Sequence, residues 1–347
     1  MRVCLTGATG FIGPYVLERL LARGDDVRVL VLPETLASLR DPERVTIVEG
    51  GLDDPGAVRE ATRGVEVVYH LAGLLPGAER EELFRINVGG TERLLDSAKD
   101  AHRFVFTSSV AVYRPAPWPF MWPITETHPL AAHGNDDLLN YGQSKIDAEG
   151  AVVRWQADHG REYVILRPTG VYGVGAPYAE RLLSYVQTRP WWSWAPWATR
   201  GWPGVDQAVL ADFGAMQWVH ATDLAEAVVQ AGSVPAAANQ VFTIAGSEVF
   251  SNAGIAAVLW VSAAQLPLPP NHGLPKLLKF DISKAHRLLG FSPQVTLRTG
   301  LAEMLPEPPA AGAGWRGVWQ APWRQGARQA PGWLPRRWQP PRDTPGP

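Results

Sequence analysis

Apolar residues gather in six short runs along the first half of the chain, near residues 2–6, 27–32, 45–49, 65–71, 103–108 and 162–167. Runs this short, rich in Val, Ile, Leu and Phe, predict strands buried on both faces. Between them, near 11–23, 55–63, 82–99 and 140–158, apolar positions recur every three to four residues, which is the spacing of helices with one buried face. Strand and helix alternating at this interval predict a parallel, doubly wound sheet with helices on both sides. Asp54 before Pro55 marks one helix start, the aspartate as cap and the proline in the first turn. In such a sheet a ligand lies at the carboxyl ends of the strands.

The first strand-to-helix turn reads Thr6-Gly7-Ala8-Thr9-Gly10-Phe11-Ile12-Gly13. Gly7 permits a tight turn, Gly10 lets backbone N–H groups come close to a phosphate, and Gly13 lets the helix pack on the strand. The helix start adds partial positive charge, so a pyrophosphate belongs here. A glycine-rich turn alone is weak evidence; between a buried strand and an amphipathic helix it is strong.

A second motif, Tyr141-Gly142-Gln143-Ser144-Lys145, opens the amphipathic stretch that continues through Ala148, Val152, Val153 and Trp155. Positions four apart share a helix face, so the phenol and the ammonium point into one cleft. Tyrosine ionises near pH 10, leaving about 0.1% phenolate at neutral pH; a lowering of about two units, ~2.7 kcal/mol, raises that roughly a hundredfold. A neighbouring lysine cation is expected to lower the phenol in this way, making it a proton donor to a carbonyl or an acceptor from an alcohol. A surface helix carrying Tyr and Lys by chance is the plainer reading, and the glycine turn outweighs it.

Further landmarks follow in order: His70-Leu71-Ala72-Gly73, Asn87-Val88-Gly89-Gly90-Thr91, Thr107-Ser108-Ser109, Arg167-Pro168-Thr169-Gly170-Val171-Tyr172-Gly173 and Trp218-Val219-His220-Ala221-Thr222-Asp223. With these, roughly residues 1–300 resemble the extended short-chain dehydrogenase/reductase family, also called the NAD-dependent epimerase/dehydratase family. The resemblance implies an α/β, Rossmann-type doubly wound sheet with a smaller C-terminal substrate lobe. It places Gly7, Gly10, Phe11, Ile12 and Gly13 at the cofactor pyrophosphate, and Leu71, Ala72 and Gly73 beside the phosphates and ribose. Pro168 and Val171 would face the nicotinamide amide. Ser109 would hydrogen-bond the reacting oxygen, Tyr141 would act as acid or base, and Lys145 would hold the nicotinamide ribose and tune Tyr141. For Asn87 two readings stand, a place beside the cofactor or a helix-flanking residue satisfying local backbone. His220 precedes a Thr-Asp pair that resembles an N-cap for a helix over 224–231, which favours a structural histidine.

Departures from the family pattern narrow the reading. The second strand ends in Val31 and Leu32, without the acid that grips ribose hydroxyls or the arginine that grips a 2′-phosphate. The Gly-Asp-Leu stretch that reaches adenine appears as Gly50-Gly51-Leu52, with Asp53 one place late. Both usual adenosine anchors are therefore missing and NAD versus NADP stays open; Leu52 and Asp53, at the displaced stretch, are kept as cofactor-binding residues, and Arg28 and Arg40 read as solvated charges rather than phosphate ligands. Val110 and Ala111 follow Ser109 where dehydratases carry an Asp-Glu pair and decarboxylating relatives a glutamate, so neither reaction is expected. Arg114 replaces the usual glycine after Val-Tyr. Met216 and Gln217 stand where nucleotide-sugar enzymes tend to carry an arginine.

The chain has 347 residues, 46% hydrophobic and 19% charged, enough for a full core. Its net charge of −2 argues against a nucleic-acid partner. A single cysteine, Cys4 in the first strand, excludes an internal disulfide and fits a reducing compartment. With folding sequence from Arg2 onward and no long apolar stretch, a cytoplasmic protein with no membrane partner is expected. The scattered histidines offer no metal site; His133 with Asp136 and Asp137 reads as a solvated loop.

Residues 1–177 and 212–245 are expected to form the dinucleotide-binding domain, 178–211 and 246–305 the substrate lobe, and 306–347 an extended or disordered Trp/Pro/Arg-rich appendage. Residues 276–291 resemble the family's terminal helix. Trp118 and Trp122, with Trp191, Trp192, Trp194, Trp197 and Trp202, offer flat faces for a ring-bearing or hydrophobic substrate. Lobe core, a homodimer contact and a loop merely rich in proline are, taken together, an equal alternative for them. The expected activity is NAD- or NADP-dependent hydride transfer at a secondary alcohol or ketone of a hydrophobic or sugar-like small molecule. An epimerase without net redox change and a non-catalytic cofactor sensor are the alternatives; the joint presence of Ser109, Tyr141 and Lys145 argues against the sensor.

Overall fold

The computed structural model describes residues 1–114, 123–132, 136–176, 216–250 and 279–304. Strands β1 (Arg2–Thr6), β2 (Asp26–Val31), β3 (Thr46–Glu49), β4 (Val67–His70), β5 (Arg103–Thr107), β6 (Glu162–Pro168) and β9 (Gln240–Ile244) form one sheet in the order β3-β2-β1-β4-β5-β6-β9. Every pairing in it is parallel. Helices α1 (Gly13–Ala22), α2 (Pro55–Thr62), α3 (Arg80–Asn87), α4 (Gly89–Ser97), α5 (Asp136–His159) and α6 (Ala221–Ala231) cover it, and α7 (Leu297–Met304) follows. A smaller sheet joins β7 (Gly170–Tyr172) parallel to β8 (Met216–His220), and β8 antiparallel to β10 (Val249–Phe250). Thus β8 does not return to the main sheet as the sequence suggests; from that stretch only β9 joins it.

Strand alternation divides the core. Val3, Leu5, Val29 and Val67 face Val16, Leu17 and Leu20 of α1 and Leu224 and Val228 of α6. Their alternates Cys4, Leu30, Val68, Phe104 and Phe106 face Val58, Leu94, Val152 and Trp155 of α2, α4 and α5. Burial pushes the Cys4 thiol up to about 12, so it packs as an inert apolar side chain.

Three local expectations change. The helix over 82–99 is two helices meeting at Val88: Gly89 and Gly90 follow, and the Thr91 hydroxyl donates to the Asn87 carbonyl at 2.6 Å. A Cβ on Gly90 would stand 2.8 Å from Leu52 Cβ, so close packing, not helix propensity, selects glycine there. Helix α6 starts before the Thr-Asp pair, and its cap is His220, whose Nδ1 accepts from the Thr222 amide at 3.3 Å. Asp223 instead accepts from the amides of Gln294 and Val295, at 3.1 and 3.0 Å. Within 276–291, the helical part described runs from Ser283 to Leu289, the wide turn Ala285–Leu289 making up most of it, and ends at Gly290 with φ 76°. Residues 178–211, 251–278 and 306–347, with the tryptophans named above, and His133 lie outside the described residues.

Candidate active site

The chain leaves β1 through Gly7, whose φ is 78°, and the Gly10 amide closes the turn by donating to the Gly7 carbonyl at 3.0 Å. A Cβ on Gly7 would come within 2.8 Å of the Ala72 nitrogen, and one on Gly13 within 2.1 Å of the Gly7 carbonyl oxygen. Both contacts are with backbone, so neither neighbour can yield cheaply. Ile12 occupies the N-cap of α1, no side chain caps it, and Pro14 sits in the first turn. The first-turn amides and the positive end of the helix are therefore presented outward. Helix α2 is different: Asp54 accepts from the amides of Gly56 and Ala57, at 2.8 and 3.1 Å. Phe11 stands edge-on to Tyr15 and fixes the outer wall of the turn.

A buried relay joins this turn to the next strand end, and the sequence reading missed it. The Thr91 hydroxyl gives its proton to Asn87, so at 2.9 Å it must accept from His70 Nε2–H. His70 Nδ1 is then the acceptor for the Thr6 hydroxyl at 2.8 Å, and Thr6 Oγ1 in turn accepts from the Ala72 amide at 3.2 Å. Burial, with the Lys145 charge adding to it, pushes His70 down to about 3, so the ring is neutral and this one tautomer satisfies every partner. The relay fixes Leu71, Ala72 and Gly73 against the glycine turn. The signal was present in the sequence as Thr6, His70 and Thr91 on buried faces.

Lys145 lies beyond Gly73: a Cβ there would be 3.5 Å from Lys145 Nζ and 3.0 Å from Asn87 Oδ1. Asn87 accepts from the Leu74 amide at 2.7 Å and donates to the Leu74 carbonyl and to Ser144 Oγ, both at 3.1 Å. Its amide is thus engaged by local backbone and α5. Lys145 is buried, donates to the Thr107 carbonyl at 3.0 Å and lies 5.0 Å from the Phe106 ring centroid. It stands 5.9 Å from the Tyr141 ring centroid. Ser109 lies just past the end of β5, accepts from the Ala111 amide at 3.1 Å and has its hydroxyl beside the Tyr141 phenol.

The expected lowering of Tyr141 by Lys145 is reversed. Burial pushes the phenol up to about 12, and the Ser109 hydrogen bond pulls it only part of the way back. Burial likewise pushes Lys145 down to about 8, with Glu149 opposing. Desolvation penalises the charged form of each group and is the largest influence on both. Tyr141 is therefore a protonated phenol at neutral pH, suited to donate.

At the other end of the groove Leu32 is exposed and its carbonyl accepts from the Thr35 hydroxyl at 3.1 Å, while Thr35 and Thr9 hydroxyls meet at 2.9 Å. Leu52 is buried, its carbonyl taken by Arg93 at 2.7 Å, and Asp53 pairs with Arg85. Arg28 donates to the carbonyls of Glu60 and Arg63, at 2.8 and 2.9 Å, which removes it from the groove. Pro168 ends β6 and Val171 lies in β7, where it packs partly buried on the core. Val110 and Ala111 occupy a single 3-10 turn beyond Ser109 and carry no transferable proton. Gln217 is turned inward, donating to the Gly246 carbonyl at 2.9 Å and accepting from the Phe280 amide at 2.6 Å. The side chain of Arg114 has no structural account.

A glycine turn over an uncapped helix start lies at the switch between β1 and β4 of a doubly wound sheet, where this fold class binds its ligands, and the Ser-Tyr-Lys residues lie at the same edge. Residues 3–245 match the NAD dependent epimerase/dehydratase family, and the chain belongs to it. It is similar to protein y4nG of Sinorhizobium fredii, 30% identical over 84% of this chain and 74% of that one. It is also similar to the 3 beta-hydroxysteroid dehydrogenase/Delta 5-->4-isomerase of Mycobacterium tuberculosis, 32% identical over 50% of this chain and 48% of the enzyme, so about half of that length is spanned. The fold is similar to that of UDP-glucuronic acid 4-epimerase from Bacillus cereus, solved with NAD, at a TM-score of 0.68 and 22% identity, covering 88% of this chain and 97% of that one. No helix among the described residues is long and apolar enough to cross a membrane.

Proposed function

We propose that this protein is an NAD(P)-dependent oxidoreductase that transfers hydride at a secondary alcohol or ketone of a hydrophobic small molecule. The observation that carries the reading is the meeting of Ser109, Tyr141 and Lys145 within reach of Gly73 and the glycine turn. The residues fit a dinucleotide. The α1 start and the amides after Gly10 would hold the pyrophosphate, Leu71 to Gly73 would flank the phosphates and ribose, and Lys145 Nζ would hold the nicotinamide ribose. When bound, the nicotinamide supplies hydride to the carbonyl carbon or accepts it from the carbinol carbon. Ser109 orients the substrate oxygen, and Tyr141 gives that oxygen its phenolic proton in reduction or receives it in oxidation. The charge of Lys145 stabilises the phenolate that forms when Tyr141 donates.

Exposed apolar side chains flank the cluster. Leu75 stands two residues past Gly73 and Leu139 two before Tyr141. These, with the steroid-converting relative, support a hydrophobic substrate over a nucleotide sugar. Tyr141→Phe removes the transferable proton and little else. It is expected to cut NADH- or NADPH-dependent reduction of steroid and long-chain ketones by at least ~10²-fold while NADH binding, read by fluorescence, stays near that of the parent. Undiminished turnover would take Tyr141 out of the mechanism.

A further inference from the structure

Helix α5 carries three polar side chains at four-residue spacing, Tyr141, Lys145 and Glu149, in one line along the helix. The first two belong to the site described above. Glu149 lies one turn deeper, 5% exposed, and touches no part of the groove. Its carboxylate is held on three sides: Arg167 donates from Nε to Oε1 at 2.9 Å and from Nη2 to Oε2 at 2.6 Å, and Ser108 donates to Oε1 at 2.5 Å. Ser108 is the neighbour of Ser109 just past β5, and Arg167 the neighbour of Pro168 on β6. One buried carboxylate thus ties together the helix turn bearing Lys145 and the two strand ends that face the groove.

Apolar residues of similar shape would bind these elements without burying two charges, and commonly with equal or greater stability. The retained charge points to a use beyond packing. Lys145 is a buried ammonium whose protein partner is the Thr107 carbonyl, and its surroundings offer little to offset the lost hydration. From β4 it faces His70, which is neutral; from α3, the uncharged Asn87; from α5, the protonated Tyr141 and Glu149. Arg167, the other buried charge nearby, lies behind Glu149, its guanidinium 4.9 Å from the Tyr113 ring centroid and its Nη1 3.4 Å from the Glu126 carbonyl.

We propose that Glu149 is a positioning residue: clamped by Arg167 and Ser108, it sets the turn of α5 that bears Lys145 and holds a carboxylate one helical turn beneath that ammonium. This rests on the reading of Lys145 as the cation beside Tyr141. Burial alone would carry Lys145 below the value of about 8 that it has with Glu149 opposing. Without the carboxylate, Lys145 would hold its proton less tightly, and the charge meant for the ribose and the phenolate would weaken with it.

The test reads Lys145 directly and needs no substrate. The chain contains five lysines, so ¹³Cε-lysine labelling gives a resolvable NMR titration, with Lys145 assigned by its loss in Lys145→Arg. In the parent the Lys145 signal should titrate near 8. In Glu149→Gln the midpoint should fall below that of the parent. Glu149→Asp, which keeps the charge, should restore it. If Glu149→Gln does not fold, Glu149→Leu combined with Arg167→Met removes both buried charges and should show a smaller fall in the same direction, because the repulsion from Arg167 is lost together with the attraction of the carboxylate. A midpoint unchanged in the folded variant, or one lowered as far by Glu149→Asp as by Glu149→Gln, overturns the proposal. Because no turnover is measured, these results stand whatever Tyr141→Phe does to activity.

Discussion

Acid should unfold this protein through His70. The ring is buried between Thr6 and Thr91 with both nitrogens engaged, Nδ1 as acceptor and Nε2 as donor. A second proton on Nδ1 would set two donors, the imidazolium and the Thr6 hydroxyl, against each other. Its folded value of about 3 lies below the ordinary 6.5, so between those limits the unfolded chain binds the extra proton and the native state does not. Stability from this group is fully present above pH 6.5 and is lost as pH falls, at about 1.4 kcal/mol per unit. At pH 4.5 the loss reaches about 2.7 kcal/mol, two units at that slope, a large share of the 5–15 kcal/mol typical of a domain. Because pH 4.5 is well above the folded value, the native state there still excludes the proton and the slope holds in full. Urea unfolding at pH 7.5 and 4.5, on the parent and on His70→Gln, isolates the contribution, since every other titrating group is common to both. The parent should lose about 2.7 kcal/mol more than the variant between the two pH values. Equal losses would refute the assignment of a neutral, relay-bound His70. The same reasoning predicts that ¹⁵N shifts of the imidazole report Nε2–H alone at neutral pH.

Two further outcomes separate the groove from the scaffold. In Gly13→Ala the new methyl must displace the Gly7 carbonyl that would otherwise be 2.1 Å away. The turn should open, weakening NADH binding about a hundredfold or more, ~2.7 kcal/mol, by fluorescence titration; affinity within a few-fold of the parent would exclude this turn as the pyrophosphate site. Asp54→Ala removes the cap of α2, which accepts two backbone amides far from the cluster. It should cost about 1 kcal/mol of stability, seen as a lowered thermal midpoint, with NADH affinity unchanged.

What the sequence discloses and what it hides divide along a physical line. The alternation of buried runs with amphipathic stretches, Asp54 with Pro55, and the glycine turn are local signals, and the strands and α2 stand within a residue or two of their expected places. Tyr141 and Lys145 were legible because four-residue spacing fixes a helix face without knowledge of what packs against it. The electrostatics were not, since they depend on burial that only the assembled fold decides. Read from spacing alone, Lys145 lowers the phenol; within the fold, lost hydration dominates, raising the phenol and lowering the ammonium. The same limit hid the cap of α6. His220 outcompetes Thr222 and Asp223 because Asp223 is drawn to the amides of Gln294 and Val295, some seventy residues away in sequence. Glu149 and Arg167 did carry a signal: an acidic residue between Ala148 and Val152 on a core-facing helix side, and an arginine ending an apolar strand. A charge on a face that burial requires to be apolar must find an opposite charge or give up its own. Pairing Glu149 with Arg167 by that rule alone places α5 against β6 and sets the carboxylate one helical turn beneath Lys145.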